Sequence, residues 1–122
     1  MTLRRLAVLQ WVGLVLGGAV WFGAHVAGWG ITEASCDSAN FDIDHDLWQS
    51  VALATALALV LAATAAAAAV VYGTREITYE DEPPLSRMRF FAIAAVTANV
   101  IFLMIIVLDA VSSLLNIACR QA

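Results

Sequence analysis

Residues 48–72 read WQSVALATALALVLAATAAAAAVVY, a stretch without a charged side chain. It exceeds the roughly 20 apolar residues that a helix needs to cross a bilayer. Two other stretches have the same character: the only ionisable side chain of residues 6–29 is His25, and that of residues 90–115 is Asp109. The pattern predicts three transmembrane helices over these three ranges.

The overall composition agrees with a membrane protein. Of the 122 residues, 62% are hydrophobic and 13% are charged, and the mean hydropathy is +0.85. Soluble domains are about half apolar and about a quarter charged, and their surface helices carry a polar stripe. We therefore expect one all-α integral membrane domain over residues 1–122, a three-helix bundle. The first apolar run is too long for the hydrophobic region of a signal peptide, so we expect a retained helix.

The basic residues predict the orientation of the chain. They are Arg4, Arg5, Arg75, Arg87, Arg89 and Arg120. All but the last flank the first helix at its start or lie in and beside residues 73–88, whereas residues 30–47 contain none. Because cytoplasmic loops carry an excess of Lys and Arg, the N-terminus and loop 73–88 should be cytoplasmic. Loop 30–47 and the C-terminus should lie outside, in a multi-pass protein of a prokaryotic inner membrane.

Small residues mark one stripe of the first helix, at Gly13, Gly17, Ala24 and Gly28. The G-x-x-x-G spacing of the first two lets helix backbones approach closely. The alanine-rich run 62–69 offers a second smooth surface, although the composition of a high-GC genome explains that run equally well. We expect at least one of these surfaces to dock on a partner helix.

Two ionisable side chains lie inside predicted helices. His25 and Asp109 stand about twenty residues along the first and third helices, which run in the same direction, so they reach a similar depth. Because ionisable groups at such depths usually pair or face water, a contact between the two is predicted. The alternative is that each side chain reaches the headgroups separately. Asn99 lies deeper and is expected to bond between helices.

The two cysteines follow the first and third helices, at Cys36 and Cys119. The predicted topology puts both outside, where disulfides persist, so we expect one disulfide between them. The alternative is a soft-metal site that adds His25 and His45. No compact ligand spacing supports that site, and no metal is expected.

The alternating aspartates of the first loop, Asp42, Asp44 and Asp46, resemble the start of a calcium loop. Leu47 and Leu53 occupy the positions of the turn glycine and the bidentate glutamate, which excludes that site. Asp46 is instead expected to cap the second helix. The sequence contains no nucleophile motif, no phosphate loop and no pair of mid-helix histidines for haem. We therefore expect no enzyme, no catalytic residue and no cofactor.

Several spaced motifs extend over most of the chain. They are G-G-x-x-W-x-x-x-H in the first helix, a cysteine eleven residues after that histidine, a histidine near the start of the second helix, R-x-R-F-x-A and F-L-x-I-I in the third, and a cysteine near the C-terminus. Their residues are Gly17, Gly18, Trp21, His25, Cys36, His45, Arg87, Arg89, Phe90, Ala92, Phe102, Leu103, Ile105, Ile106 and Cys119. This set resembles a group of small three-helix membrane proteins that are often encoded beside the subunits of bacterial haem-copper cytochrome c oxidases. The chain departs from that pattern at Gly18, where a proline is expected, and at Arg120. The resemblance implies association with a respiratory oxidase and implies no reaction.

Three functions are consistent with these features. The leading hypothesis is a non-catalytic accessory or assembly subunit of a respiratory complex, with the lipid bilayer and a larger complex as partners and no nucleic acid. The second is a periplasm-facing copper or redox factor that uses Cys36, Cys119, His25 and His45. The third is a free-standing small membrane oligomer or transport component. The state of the cysteines distinguishes the first two, and co-purification tests the third.

Overall fold

The chain, in a computed structural model that describes residues 2–36 and 43–115, is all-helical. The first helix covers Leu3–Cys36, the second His45–Gly73 and the third Leu85–Leu115. All three are long and apolar enough to cross a membrane. The prediction of three helices that are long and apolar enough to span a membrane is therefore confirmed for the described residues.

The first helix is longer at both ends than the predicted 6–29. It begins at Leu3, where the hydroxyl of Thr2 accepts from the backbone N–H of Arg5 at 3.4 Å. It continues through Cys36, and within this extension Thr32 and Ser35 donate their hydroxyls to the carbonyls of Gly28 and Ile31, one turn back, at 3.0 and 2.7 Å. The predicted outer loop 30–47 is therefore wrong in its first part, which is helical.

The second helix begins at His45, because the Asp44 carboxylate accepts from the backbone N–H of Leu47 at 3.0 Å. The prediction that Asp46 caps this helix is wrong, since Asp46 lies in the first turn. The third helix begins at Leu85, directly after Pro84, and not at residue 90. The connector between the second and third helices is accordingly shorter than the predicted 73–88.

The second helix packs against both other helices through one seam of small and β-branched residues. Its buried residues are Ala56, Val60, Ala63, Ala67 and Val70, at alternating spacings of four and three. That spacing keeps one face toward the partners along the whole helix. Val70 packs with Leu6 and Ala92, and Val60 packs with Ile106. One face of the alanine-rich run is thus part of the core.

The three helices meet most closely at a π-helical segment of the first helix, Val12–Leu16. A Cβ added at Gly13 would lie 2.7 Å from the Cβ of Ala67, so the first two backbones are in direct contact there. Asn99, which is 1% exposed, donates its Nδ2–H to the Gly13 carbonyl at 2.9 Å. The wider hydrogen-bond pattern of a π-helical turn disturbs the regular ladder, and this side chain satisfies a carbonyl within it. Asn99 thus fixes the third helix to the first.

Arg89 of the third helix caps the C-terminal end of the second helix. Its Nη1 donates to the carbonyls of Thr74, Arg75 and Ile77 at 2.8, 2.6 and 2.9 Å. A cation at this position complements the partial negative charge of a helix C-terminus and pairs carbonyls that lack helical partners. We call this end of the bundle, which also holds Arg4 and Arg5, the arginine end. The opposite end, with His25 and His45, is the histidine end.

Candidate functional site

A cleft of about 410 Å³ opens at the histidine end, lined by side chains from all three helices. Its polar lining consists of His25, Thr32, Glu33, His45, Gln49, Asp109, Ser112 and Ser113. A Cβ added at Gly28 would lie 3.3 Å from Nε2 of Gln49, so the Gln49 amide lies directly against the first helix. The polar side chain of Gln49 thus lies between the first and second helices here, whereas nearer the arginine end the small side chain of Ala67 lies between them.

His25 and Asp109 lie together in this cleft. The distance from His25 Nδ1 to Asp109 Oδ2 is 3.7 Å. His25 follows Arg5 by twenty residues and Asp109 follows Arg89 by twenty, which is about 30 Å of helix in each case and matches the hydrocarbon thickness. Their side chains are 66% and 44% exposed, so the pair is open to the surroundings and its electrostatic stabilisation is small.

An aromatic stack forms the deeper wall of the cleft. Trp21 stacks on Phe102 of the third helix with ring centroids 5.2 Å apart and planes inclined by 18°. Gly18 faces the Phe102 ring, which an added Cβ would meet at 3.7 Å, an ordinary van der Waals distance. The His25 ring centroid lies 6.1 Å from that of Trp21. The stack joins the first and third helices directly below the polar pair.

Ser35 and His45 connect the first and second helices at the mouth of the cleft. Ser35 Oγ lies 2.8 Å from His45 Nδ1 and 2.7 Å from the Ile31 carbonyl. Ser35 Oγ and His45 Nδ1 thus share one hydrogen bond, whose donor is set by the tautomer of the imidazole ring. No sequence pattern pointed to Ser35, because a lone hydroxyl carries no periodic signal.

Two polar atoms in the lining have no hydrogen-bond partner among the described residues although each is buried: Nε1 of Trp21 and Oε1 of Gln49. The first is a donor and the second an acceptor. Leaving such a group unpaired costs about 1–3 kcal/mol, and each case in a folded protein requires an explanation. Both atoms lie in the wall of the cleft and have almost no accessible surface of their own.

The small-residue stripe of the first helix faces inward. Gly13 contacts Ala67, Gly17 lies so close to the Asn99 amide that a Cβ there would overlap it, and Gly28 faces Gln49. Ala24 packs on the cluster formed by Ala56, Val60 and Ile106. Side chains of the second and third helices cover the stripe, so it is not the surface that would meet another protein.

The predicted disulfide and metal ligands are only partly within the described residues. Cys119 lies outside them, so the Cys36–Cys119 disulfide stays a prediction. Of the metal candidates, His25 and His45 line the cleft, and Cys36 Sγ is 3.6 Å from Ser35 Oγ. Within residues 2–36 and 43–115, no group of three or more His, Cys, Asp or Glu side chains is placed to hold a metal ion.

Comparison of the chain with protein-family models, with curated proteins and with solved structures finds no match.

Proposed function

We propose that this chain is a non-catalytic accessory or assembly subunit of a larger membrane complex, with a haem-copper cytochrome c oxidase as the first candidate partner. The observation that carries the proposal is an exposed row of small residues on the second helix. Ala58, Ala62 and Ala65 lie on the side opposite the buried seam and are exposed in the bundle. We call this row the alanine face.

The alanine face suits a protein partner better than it suits lipid. Lipid tails are as apolar as any side chain, so helices associate in a bilayer through close packing, and small residues permit the closest approach. Leu59 and Leu61 are exposed on either side of this face, and the third helix exposes Ile101, Met104 and Leu108. A helix of another protein can therefore come closest along the three alanines, between the two leucines.

The residues behind the family resemblance support a structural role. Gly18 and Trp21 pack on Phe102, and Arg89 caps the second helix. In this bundle these positions hold helices together, and none of these contacts involves a reacting group. Helix-packing contacts of this kind are consistent with a scaffold subunit, and the oxidase partner comes from the resemblance alone.

The proposed setting is a prokaryotic inner membrane, with the arginine end and the N-terminus cytoplasmic and the histidine end outside. In that orientation a Cys36–Cys119 disulfide would form in an oxidising compartment. Reporter fusions in the 74–84 connector and after residue 122 test the orientation. Cytoplasmic signal from the C-terminal fusion contradicts it.

The partner is tested by purifying the tagged chain from its own membrane in mild detergent and identifying co-purified proteins by mass spectrometry. We expect oxidase subunits with the wild type, fewer with Ala65→Leu, and an unchanged yield with Ala94→Leu, which makes the same change at an exposed position of the third helix. A chain that migrates alone would contradict the accessory-subunit proposal and favour a free-standing oligomer.

The second candidate function, a periplasm-facing copper or redox factor, is favoured by one observation: His25 and His45 line the same cleft. Neutral imidazole is a suitable ligand for copper. A Cu(I) titration against a chelator of known affinity tests it. Stoichiometric binding that is lost in both His25→Leu and His45→Leu would support this function, and binding unaffected by either change would exclude it.

A further inference from the structure

We propose that a second cleft, at the arginine end, binds a phosphate group. This cleft has a volume of about 420 Å³ and is lined by Tyr79, Ser86, Arg87, Phe90 and Phe91. We call it the Ser86 cleft. A buried hydroxyl, the start of the third helix and a guanidinium meet there, and their chemistry does not depend on the identity of a protein partner.

Ser86 is the buried polar residue of this cleft. It is 8% exposed, and no hydrogen bond joins its hydroxyl to any residue of 2–36 or 43–115, although buried hydroxyls are normally paired. Thr64 and Thr97 donate to carbonyls one turn back in their helices, but Ser86 lies in the first turn and has no helical carbonyl behind it. Unlike Trp21 Nε1 and Gln49 Oε1, Ser86 Oγ retains accessible surface. Its hydroxyl is therefore available to a bound group.

Backbone donors adjoin this hydroxyl at the start of the third helix. The N–H groups of residues 85–87 have no acceptor in the described part of the chain, and the first N–H with one is that of Met88, which donates to the Pro84 carbonyl at 3.0 Å. A side chain caps the start of each of the other two helices, whereas no side chain within the described ranges caps the third. Such a helix start carries partial positive charge and directs its N–H groups at an anion.

Arg87 adds a full positive charge to the Ser86 cleft. It is exposed, and its guanidinium forms no ion pair with a carboxylate of the described residues. The connector before the third helix is acidic, but none of its carboxylates lines the cleft, and that of Asp81 accepts from the N–H and the hydroxyl of Thr78. A guanidinium binds phosphate through two parallel hydrogen bonds. A phosphate has enough oxygens to use the guanidinium, the hydroxyl and the helix start together.

The apolar part of the lining indicates what can carry the phosphate. Phe90 and Phe91 lie edge to face with ring centroids 5.5 Å apart, and both are exposed. They follow Ser86 and Arg87 by four residues, so they share their face of the helix one turn further into its apolar part. A phospholipid has the same order, a phosphate followed by apolar chains, whereas a soluble phosphate from the adjoining water would use the polar part alone. The phosphate is common to both sources, and the experiment separates them.

The first measurement is native mass spectrometry of the purified full chain, loaded with phosphatidic acid or with a diacylglycerol that has the same acyl chains and no phosphate. We expect phosphatidic acid to be retained about tenfold more strongly, the effect of one or two hydrogen bonds to a charged group. Arg87→Gln should remove most of this preference, and Arg4→Gln, the same change at an exposed arginine outside the cleft, should preserve it. Equal losses in the two variants would overturn the proposal, because the attraction would then belong to the arginine end as a whole.

A second variant tests the hydroxyl without changing charge. Ser86→Ala should weaken phosphate binding about tenfold, whereas Ser50→Ala, at an exposed position of the second helix, should leave it unchanged. Calorimetric titration with inorganic phosphate identifies the source: binding that depends on Ser86 and Arg87, without a lipid preference, supports the soluble source, and a lipid preference without phosphate binding supports the phospholipid. Equal retention of both lipids without phosphate binding would overturn the proposal, as would identical behaviour of Ser86→Ala and Ser50→Ala.

Discussion

Replacing Gly13 by alanine should destabilise the bundle, although alanine is the better helix former. The added methyl carbon would lie 2.7 Å from the Cβ of Ala67 and 3.0 Å from its Cα and backbone nitrogen. Ordinary carbon contacts are about 3.5–4.0 Å. The neighbour is backbone and cannot rotate away, so the first and second helices must separate by about 1 Å.

The separation has two energetic consequences. A gap of about 0.5–1 Å forfeits a quarter to a half of the dispersion energy of the contacts it opens, and overpacking of this kind costs about 1–3 kcal/mol. The Asn99 hydrogen bond to the Gly13 carbonyl, now 2.9 Å, would also lengthen, at about 0.6 kcal/mol for an average interhelical bond in a membrane protein. We expect a total loss of about 2 kcal/mol in the free energy of unfolding.

Gly23→Ala is the matched control, because Gly23 is on the same helix and a Cβ added there meets nothing within 4 Å. Both variants gain the helix propensity of alanine, so the difference between their free energies of unfolding reports the packing at Gly13. The measurement is reversible unfolding in mixed micelles of a mild detergent and dodecyl sulfate, followed by tryptophan fluorescence. If the two variants unfold within about 0.5 kcal/mol of each other, the helices are not in contact at Gly13 and the reasoning fails.

Three other predictions concern separate contacts. Asn99→Leu should lower the free energy of unfolding by about 1 kcal/mol in the same assay, because the Gly13 carbonyl loses its partner; stability equal to wild type would contradict this. Arg89→Gln should speed amide hydrogen exchange where the second helix ends, because it removes the cation from three carbonyls, whereas Arg87→Gln, at an exposed position, should not. Freshly isolated protein should alkylate at Cys36 and Cys119 only after reduction, as mass measurement would reveal; two thiols reactive before reduction would exclude the disulfide.

The number of helices could be predicted from the sequence, but the helix ends could not. Apolar stretches with no more than one ionisable side chain mark the segments that can lie in hydrocarbon, and all three are helical in the structure. The ends depend on local hydrogen bonds that hydropathy does not register. The Asp44 cap starts the second helix, and the first helix continues past its apolar part, where Thr32 and Ser35 bond to carbonyls of their own helix.

Equal depth along two parallel helices predicted one contact of the site, with separate positions of the two side chains as the alternative. His25 and Asp109 lie at equal distances from Arg5 and Arg89 along helices that run the same way, and the structure brings them together. Contacts that also depend on how each helix is rotated about its axis gave no sequence signal. The Gln49 amide against the first helix is one example, and the Arg89 cap is another, since it further depends on the path of the connector.

Close helix packing and the polar cleft lie at different parts of the seam of the second helix. From the arginine end the seam reads Val70, Ala67, Ala63 and Val60, all 0% exposed, and seven-residue steps continue it to Gln49, which lines the cleft. The small residues bring the backbones together at one end, and the long polar side chain lies between the helices at the other. A substitution at Gln49 should therefore alter the cleft while the contacts around Gly13 remain, because the two sites are about four turns apart and share no partner. This separation allows one bundle to keep a stable core and still carry an open polar site.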